Sequence, residues 1–217
     1  MEKHDHTHII EQVPVDYYQK GVAKNIFQRI WHGGRLRETL KFLRESKLLE
    51  KGNMKVLDVG CASGWFISEI CIRYPKGSYA GVDIYEDAIT YAKKQYPHIS
   101  FHVADAHMIP FEDDFFNLVV CTNVLEHAVD PKKIMEEIGR VLKPDGRVIV
   151  GMDSENWLFS FVWQTWLHFQ GRVWKHAHLH KLKEHNLYQL FRDANFAIEK
   201  KSVFHLGMAM IFLLKNE

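Results

Sequence analysis

The sequence predicts an α/β fold, a parallel sheet covered by helices on both faces. Three observations carry this. Short apolar runs alternate with helix-like segments from Met54 to about Met152, the pattern of strands buried on both sides. Small residues, Gly60, Ala62 and Gly64, join the first run to the first helix. Three aspartates, Asp58, Asp83 and Asp105, end three successive runs, at the sheet edge where such folds take their ligands.

The elements follow in chain order. Val22, Ile26, Phe27, Ile30 and Trp31 recur at helical spacing opposite Lys20, Lys24 and Arg29, which predicts a helix with one apolar face. Gly33-Gly34 is expected to break it, and Leu36, Leu40 and Leu43 mark a second helix. KVLDVG reads as a buried strand, and Gly64 to Tyr74 as a helix stopped by Pro75. SYAGVDI is a strand, Glu86 to Tyr96 a helix stopped by Pro97, and ISFHVAD a strand. FFNLVVCT is the next strand, and Pro131 to Leu142 a helix with proline in its first turn. Pro144-Asp145-Gly146 is expected to be a turn before the strand RVIVGM. A late helix runs from about Leu182 to Ala194, with Leu187, Leu190, Phe191 and Ala194 on one stripe and Asn195 as a left-handed cap. FAIEKKSVF and GMAMIFLL finish the sheet as an antiparallel pair.

Composition narrows the class. With 217 residues, 47% hydrophobic and 25% charged, the chain can bury a core without staples. This excludes a mostly disordered, collagen-like or disulfide-framework protein. Twenty-eight basic against 27 acidic residues leave +1, so overall charge does not point to nucleic acid. Cys61, Cys71 and Cys121 cannot all pair with one another; free buried thiols in a reducing compartment are the simplest reading. MEKHDHTHII lacks the apolar stretch of a secretory signal. The cluster from Trp157 to Phe169 is too short to span a bilayer. A cytoplasmic location is expected, with membrane-surface contact left open.

The aspartates say more. A carboxylate at Asp58, two residues before Gly60, would repel a pyrophosphate and suits a ligand carrying positive charge, such as an ammonium or sulfonium. The run G-x-A-x-G also departs from the dinucleotide pattern G-x-G-x-x-G. Asp83, 19 residues after Gly64, is placed to accept from both ribose hydroxyls, with Ile84 against a purine face. Asp105-Ala106 stands where a carboxylate can accept from an adenine amino group. Taken singly, each aspartate is as well explained as a turn or cap residue.

The stretches VLDVGCASGWF, GVDIYEDAI, VADAHMIPFEDDFFNLVVCTNVLEH and VLKPDGRVIVG resemble, in this order, the class I S-adenosylmethionine-dependent methyltransferases, specifically the type 11 methyltransferase domain. The resemblance covers residues 54–152. It implies a Rossmann-like, seven-stranded, mostly parallel sheet with flanking helices and an antiparallel last strand. It divides the chain into a tail and helical cap over 1–53 and a methyltransferase domain over 54–217. Within that domain lie a cofactor core, 54–152, and a substrate-side aromatic insertion at about 153–181. It implies S-adenosyl-L-methionine as cofactor, with Asp58, Gly60 and Gly64 at its methionine part, Asp83 and Ile84 at the ribose and purine, and Asp105 with Ala106 at the adenine. Cys61, Ala62 and Asn123 complete the implied contacts. The sequence departs from the family at Ala62, where glycine is usual, and at Asn117, where aspartate is usual.

The acceptor side is less determined. Glu126 and His127 of NVLEH are candidates for a general base or for acceptor contact; the alternative for His127 is a loop anchor or a cap on the helix that begins at Pro131. His176, His178 and His180 alternate and would share one face of an extended segment. Substrate contact, a metal and a solvated loop are their three readings, and no metal is expected because no well-spaced Cys pair accompanies them. NWLFSFVWQTWLHF reads as a lid over an apolar acceptor, as a packed helix, or as an interfacial membrane segment. Tyr18, Trp157, His178 and His180 are the expected acceptor contacts. Tyr17, Asn25, Gln28, Arg29 and His32 are further polar groups of the cap. The implied reaction is methyl transfer to a small-molecule or lipid-like acceptor. The alternative is a non-catalytic cofactor- or partner-binding module on the same fold.

Overall fold

In a computed structural model, residues 13–48, 52–154, 158–162 and 182–217 are described. Trp157, Trp163, Trp166, Trp174, His176, His178 and His180, and the N-terminal histidines, lie outside the described residues.

Two helices, α1 (Tyr17–Lys24) and α2 (Ile26–Ser46), precede the sheet. Alternating elements then follow: β1 (Lys55–Val59), α3 (Trp65–Arg73), β2 (Ser78–Asp83), α4 (Glu86–Gln95), β3 (Ser100–Val103) and β4 (Phe116–Thr122). After a 3-10 turn (Leu125–His127) come α5 (Pro131–Val141), β5 (Leu142–Asp153), α6 (Glu184–Asp193), β6 (Phe196–Phe204) and β7 (Ala209–Asn216). The strands form one seven-stranded sheet in the order β3-β2-β1-β4-β5-β7-β6. The first five are parallel, and β7 runs antiparallel to both β5 and β6. The order reverses between β1 and β4, so a crevice opens at their carboxyl ends.

The period-2 geometry of the strands divides the core. Leu57, Val59, Val119, Cys121, Val148, Val150 and Phe212 face α5 and α6, against Ile134, Met135, Ile138, Leu187 and Phe191. Val56, Leu118, Val120, Ile149, Ile211 and Leu213 face the other way, against Phe42 and Leu43 of α2, Ile67 and Ile70 of α3, and Ile89 and Ala92 of α4. The second half of the N-terminal cap is thus part of the sheet's own core. The left-handed cap read at Asn195 is present, with φ 59°, and Asp130, just ahead of Pro131, caps α5 by accepting from the Lys133 amide.

Three expectations are corrected. Gly33-Gly34 does not break the helix; α2 runs through both. The break falls at Asn25, whose side chain accepts from the Phe27 and Gln28 amides and caps α2. Gly34 serves packing instead, because a Cβ there would overlap the His205 ring. The apolar stripe Ile26, Phe27 and Ile30 is exposed, since only the part of α2 from Gly34 onward lies against the core. Finally, Pro144-Asp145-Gly146 lies within β5, whose pairing with β4 jumps from Phe116–Leu142 to Leu118–Arg147; the turn residues are taken up as a bulge.

Candidate active site

A cleft with about 440 Å³ of empty space, counted to its open mouth, lies over the carboxyl ends of β1 and β4. Asp58, Gly60, Cys61, Ala62, Trp65 and Phe66 form one side. Thr122 and Asn123 come from the end of β4, and Tyr18, His32 and Arg35 from the two N-terminal helices.

The turn after β1 is built backbone first. The Gly60 and Cys61 amides both donate to the Val82 carbonyl, at 2.8 and 3.0 Å, tying the turn to β2. Gly60 and Gly64 take left-handed conformations, φ 72° and 77°. Gly64 admits no side chain, because a Cβ would meet Phe101 at 2.6 Å. Ala62 is also left-handed at φ 45°, a conformation that costs an alanine about 1–2 kcal/mol. Its amide is held by Asp83 Oδ2 at 2.7 Å, while Asp83 Oδ1 accepts from the Tyr85 amide at 2.9 Å. The Ile84 amide adds a third bond to this carboxylate, which has about four acceptor positions, so Asp83 fastens the turn and keeps capacity to accept once more.

Asp58 is buried at 2% exposure, and its Oδ2 is sealed without a hydrogen-bond partner among the described residues. Burial, and then the neighbouring Asp83 carboxylate, push its carboxyl well above the usual range; the Ile67 amide opposes this. A buried acceptor left unmatched is costly and calls for a donor from outside the chain. Asn123 repeats the motif. It is left-handed at φ 55°, donates its amide to the Gly151 carbonyl, and leaves Oδ1 unmatched. An ammonium beside a sulfonium fits the chemistry of these two acceptors, both on the lining of the cleft.

The other assigned residues are placed as follows. Asp105 lies beyond the end of β3, outside this cleft's lining. Its Oδ1 accepts from the His107 amide and from His107 Nδ1–H, at 2.9 and 2.6 Å, and these bonds hold its carboxyl below the usual range despite partial burial. Ile84 is 44% exposed. Ala106, Glu126 and His127 do not line the cleft. Glu126 is buried on the 3-10 turn, near enough that its charge adds to the upward shift of the Tyr18 hydroxyl and the Cys121 thiol, where burial acts first. Asn117 sits at the opposite end of the sheet, accepting from the Lys55 amide, so this departure does not touch the cleft.

Five lining residues, His32, Arg35, Trp65, Phe66 and Thr122, were not assigned a role from sequence. His32 lies edge-on to Tyr18 and Trp65, at ring-centroid distances of 5.1 and 6.4 Å. Burial, the Arg35 guanidinium and His205 pull its imidazole down to about 3. Arg35 donates to Asp153 Oδ1 at 2.9 Å, with both side chains 5% exposed. The other cap polar groups turn elsewhere: Asn25 caps α2, and Arg29 donates to the Val22 and Ala23 carbonyls. Apolar periodicity could not single out His32 and Arg35, because they lie three residues apart on a helix with apolar residues on several faces.

Residues 50–195 match the family described as a methyltransferase domain. A demethylmenaquinone methyltransferase of Chlamydia caviae is 30% identical over 191 residues, covering 79% of this chain and 82% of that protein. Cycloartenol-C-24-methyltransferase 1 of Oryza sativa subsp. japonica is 35% identical over 138 residues, 59% of this chain but only 40% of the rice protein. Among solved structures, the complex of a Haloferax volcanii methyltransferase with its Trm112 activator superimposes with a TM-score of 0.69 at 18% identity, over 93% of this chain and 96% of that one. The chain belongs to the class I S-adenosylmethionine-dependent methyltransferases. It spans less than half the length of several curated relatives that it matches, at 36%, 40% and 29%.

Proposed function

We propose that this chain binds S-adenosylmethionine and transfers its methyl group to a small, largely apolar acceptor. The observation that carries the reading is the sealed, unmatched Asp58 Oδ2 at the sheet's switch point. When bound, S-adenosylmethionine supplies a methyl group already activated by the sulfonium charge, so the chain needs no nucleophile of its own. Asp58 and Asn123 would hold its ammonium, Asp83 the ribose hydroxyls, and Asp105 with Ala106 the adenine. Tyr18, Trp65 and Phe66 on the cleft wall exclude water and orient the acceptor, which is most of what methyl transfer requires. These rings favour an apolar acceptor body. The acceptors named for the Chlamydia and rice relatives, demethylmenaquinone and cycloartenol, agree with a lipid-like molecule here.

Calorimetry and labelling test the reading together. Wild-type protein should bind S-adenosylmethionine saturably and move its labelled methyl group into one fraction of a cell extract. Asp58→Asn removes one charge with little change of shape and should weaken binding about 10- to 100-fold, the worth of a charge-assisted hydrogen bond. Unchanged affinity in a folded Asp58→Asn protein would remove the ammonium assignment. Donor binding with no label in any fraction would leave a binding module, not an enzyme.

A further inference from the structure

We propose that His32 takes the proton from a neutral, hydroxyl-bearing acceptor molecule as the methyl group arrives at its oxygen. This rests on the methyltransferase reading of the same cleft. It places the proton acceptor on α2, away from Glu126 and His127, which do not line the cleft.

The geometry carries it. His32 lies on the cleft wall opposite the β1 turn, with Asp58, Gly60, Cys61 and Ala62. Its ring is fixed by edge contacts from Tyr17 and Tyr18 of α1 and Trp65 of α3. No hydrogen bond among the described residues reaches either ring nitrogen, and neither nitrogen is sealed from solvent. A ring packed among three aromatic neighbours on the wall of this cleft, with no hydrogen bond among the described residues at either nitrogen, is placed to receive a proton. The Tyr18 hydroxyl, on the same wall, likewise has no hydrogen bond among the described residues.

The charges nearby set the acceptor's form. Among the described lining residues, Arg35 is the one guanidinium or ammonium group, and Asp153 neutralises it. With its charge matched in this way, Arg35 is poorly placed to hold a preformed oxyanion, so the acceptor enters as a neutral hydroxyl. Burial first, then Arg35 and, from the β6–β7 turn, His205 keep the resting imidazole neutral and able to accept. In the transfer, the acceptor oxygen bonds the methyl carbon. The carbon–sulfur bond breaks with its electron pair going to sulfur, and the hydroxyl proton passes to a His32 nitrogen. One positive charge leaves the sulfur as one arrives on the imidazole, so the net charge of the cleft is conserved. A hydroxyl taking on a methyl group is far more acidic than a free one, so a weakly basic imidazole suffices.

Three measurements test this. His32→Phe keeps a ring for Tyr18 and Trp65 to pack on but removes both nitrogens. It should melt like wild type and bind S-adenosylmethionine within about twofold, yet transfer label to the wild type's extract fraction about 100-fold more slowly or worse. His32→Ala should regain part of its transfer when imidazole is added. Without any turnover, the His32 ring signals in NMR should titrate at higher pH with S-adenosylhomocysteine bound than with S-adenosylmethionine bound, because only the latter carries the sulfonium charge. Labelled product should release its methyl group under ether cleavage. Equal transfer by His32→Phe, identical titrations in the two complexes, or label fixed on carbon each overturns the assignment to His32 while leaving the methyltransferase reading intact. A wild-type protein that binds no donor, or labels no fraction, removes both.

Discussion

Asp58 illustrates how one side chain can couple a cofactor to pH. Its carboxyl is raised well above the usual range by burial and by Asp83, so at pH values between the unfolded and the folded value the folded protein holds a proton that the unfolded chain has released. Stability from this group is therefore full below the unfolded value, near 3.9, and declines as pH rises through the folded value. A bound ammonium reverses the preference and drives the proton off. Donor affinity should thus rise as pH rises toward the folded value, and calorimetric heats measured below that value should differ between buffers of different ionisation enthalpy. Asp83, also raised by burial, acts in the same direction, so Asp58→Asn should reduce this dependence and leave the part due to Asp83. A pH-independent affinity in the wild type would show that Asp58 meets its ligand already ionised. The three strand-end aspartates were legible because the buried strands before them fix where each strand stops. Which oxygen is sealed, and which ties down a neighbouring amide, depends on the turn geometry and could not be read from spacing.

Helix α2 shows where pattern reading fails within an element. Two adjacent glycines read as a break because each costs a helix about 1 kcal/mol relative to alanine. Here the pair serves two purposes that the sequence does not separate. At Gly33 an added Cβ meets nothing within 4 Å, whereas at Gly34 it would run into His205. That histidine stacks on Trp31 at 4.9 Å and donates from Nε2 to the Trp31 carbonyl, docking the β6–β7 turn in the gap left by Gly34. The two alanine substitutions should therefore have opposite signs. Gly33→Ala should stabilise the protein by about 0.5–1 kcal/mol, and Gly34→Ala should destabilise it by about 1–3 kcal/mol through overpacking, both read from urea midpoints. Equal effects would mean that the His205 contact is not formed. The elements between residues 54 and 152 were far more legible, since each strand there is buried on both faces and Pro75, Pro97 and Pro131 mark helix ends. The exposed stripe of Ile26, Phe27 and Ile30 was not, because periodicity identifies an apolar face without showing what covers it.

At the scale of the molecule, the cleft has two walls from distant parts of the sequence, and its function requires them to stay in register. The sheet supplies Asp58 and Asn123; the cap supplies Tyr18, His32 and Arg35. The two are joined by the packing of Phe42 and Leu43, by Ser202 donating to Glu38 and a Lys200–Glu45 pair, and by the Arg35–Asp153 ion pair 118 residues apart in sequence. The surface Lys200–Glu45 pair contributes little, about 0–1 kcal/mol. The buried pair differs, because removing one partner strands the other in a place without water. Asp153→Ala should cost about 3–5 kcal/mol, while the double change Arg35→Met with Asp153→Ala should recover most of that loss. The double variant separates two roles. If the pair only anchors the cap, restoring stability restores donor affinity and label transfer together. If it also sets the electrostatics around His32, stability returns but the His32 titration moves upward, since the guanidinium that helps to keep the imidazole neutral is gone. Urea denaturation, calorimetry and NMR on the same three proteins decide between these. A single-variant loss below about 1 kcal/mol, the range of an exposed pair, would place the anchor of the cap elsewhere.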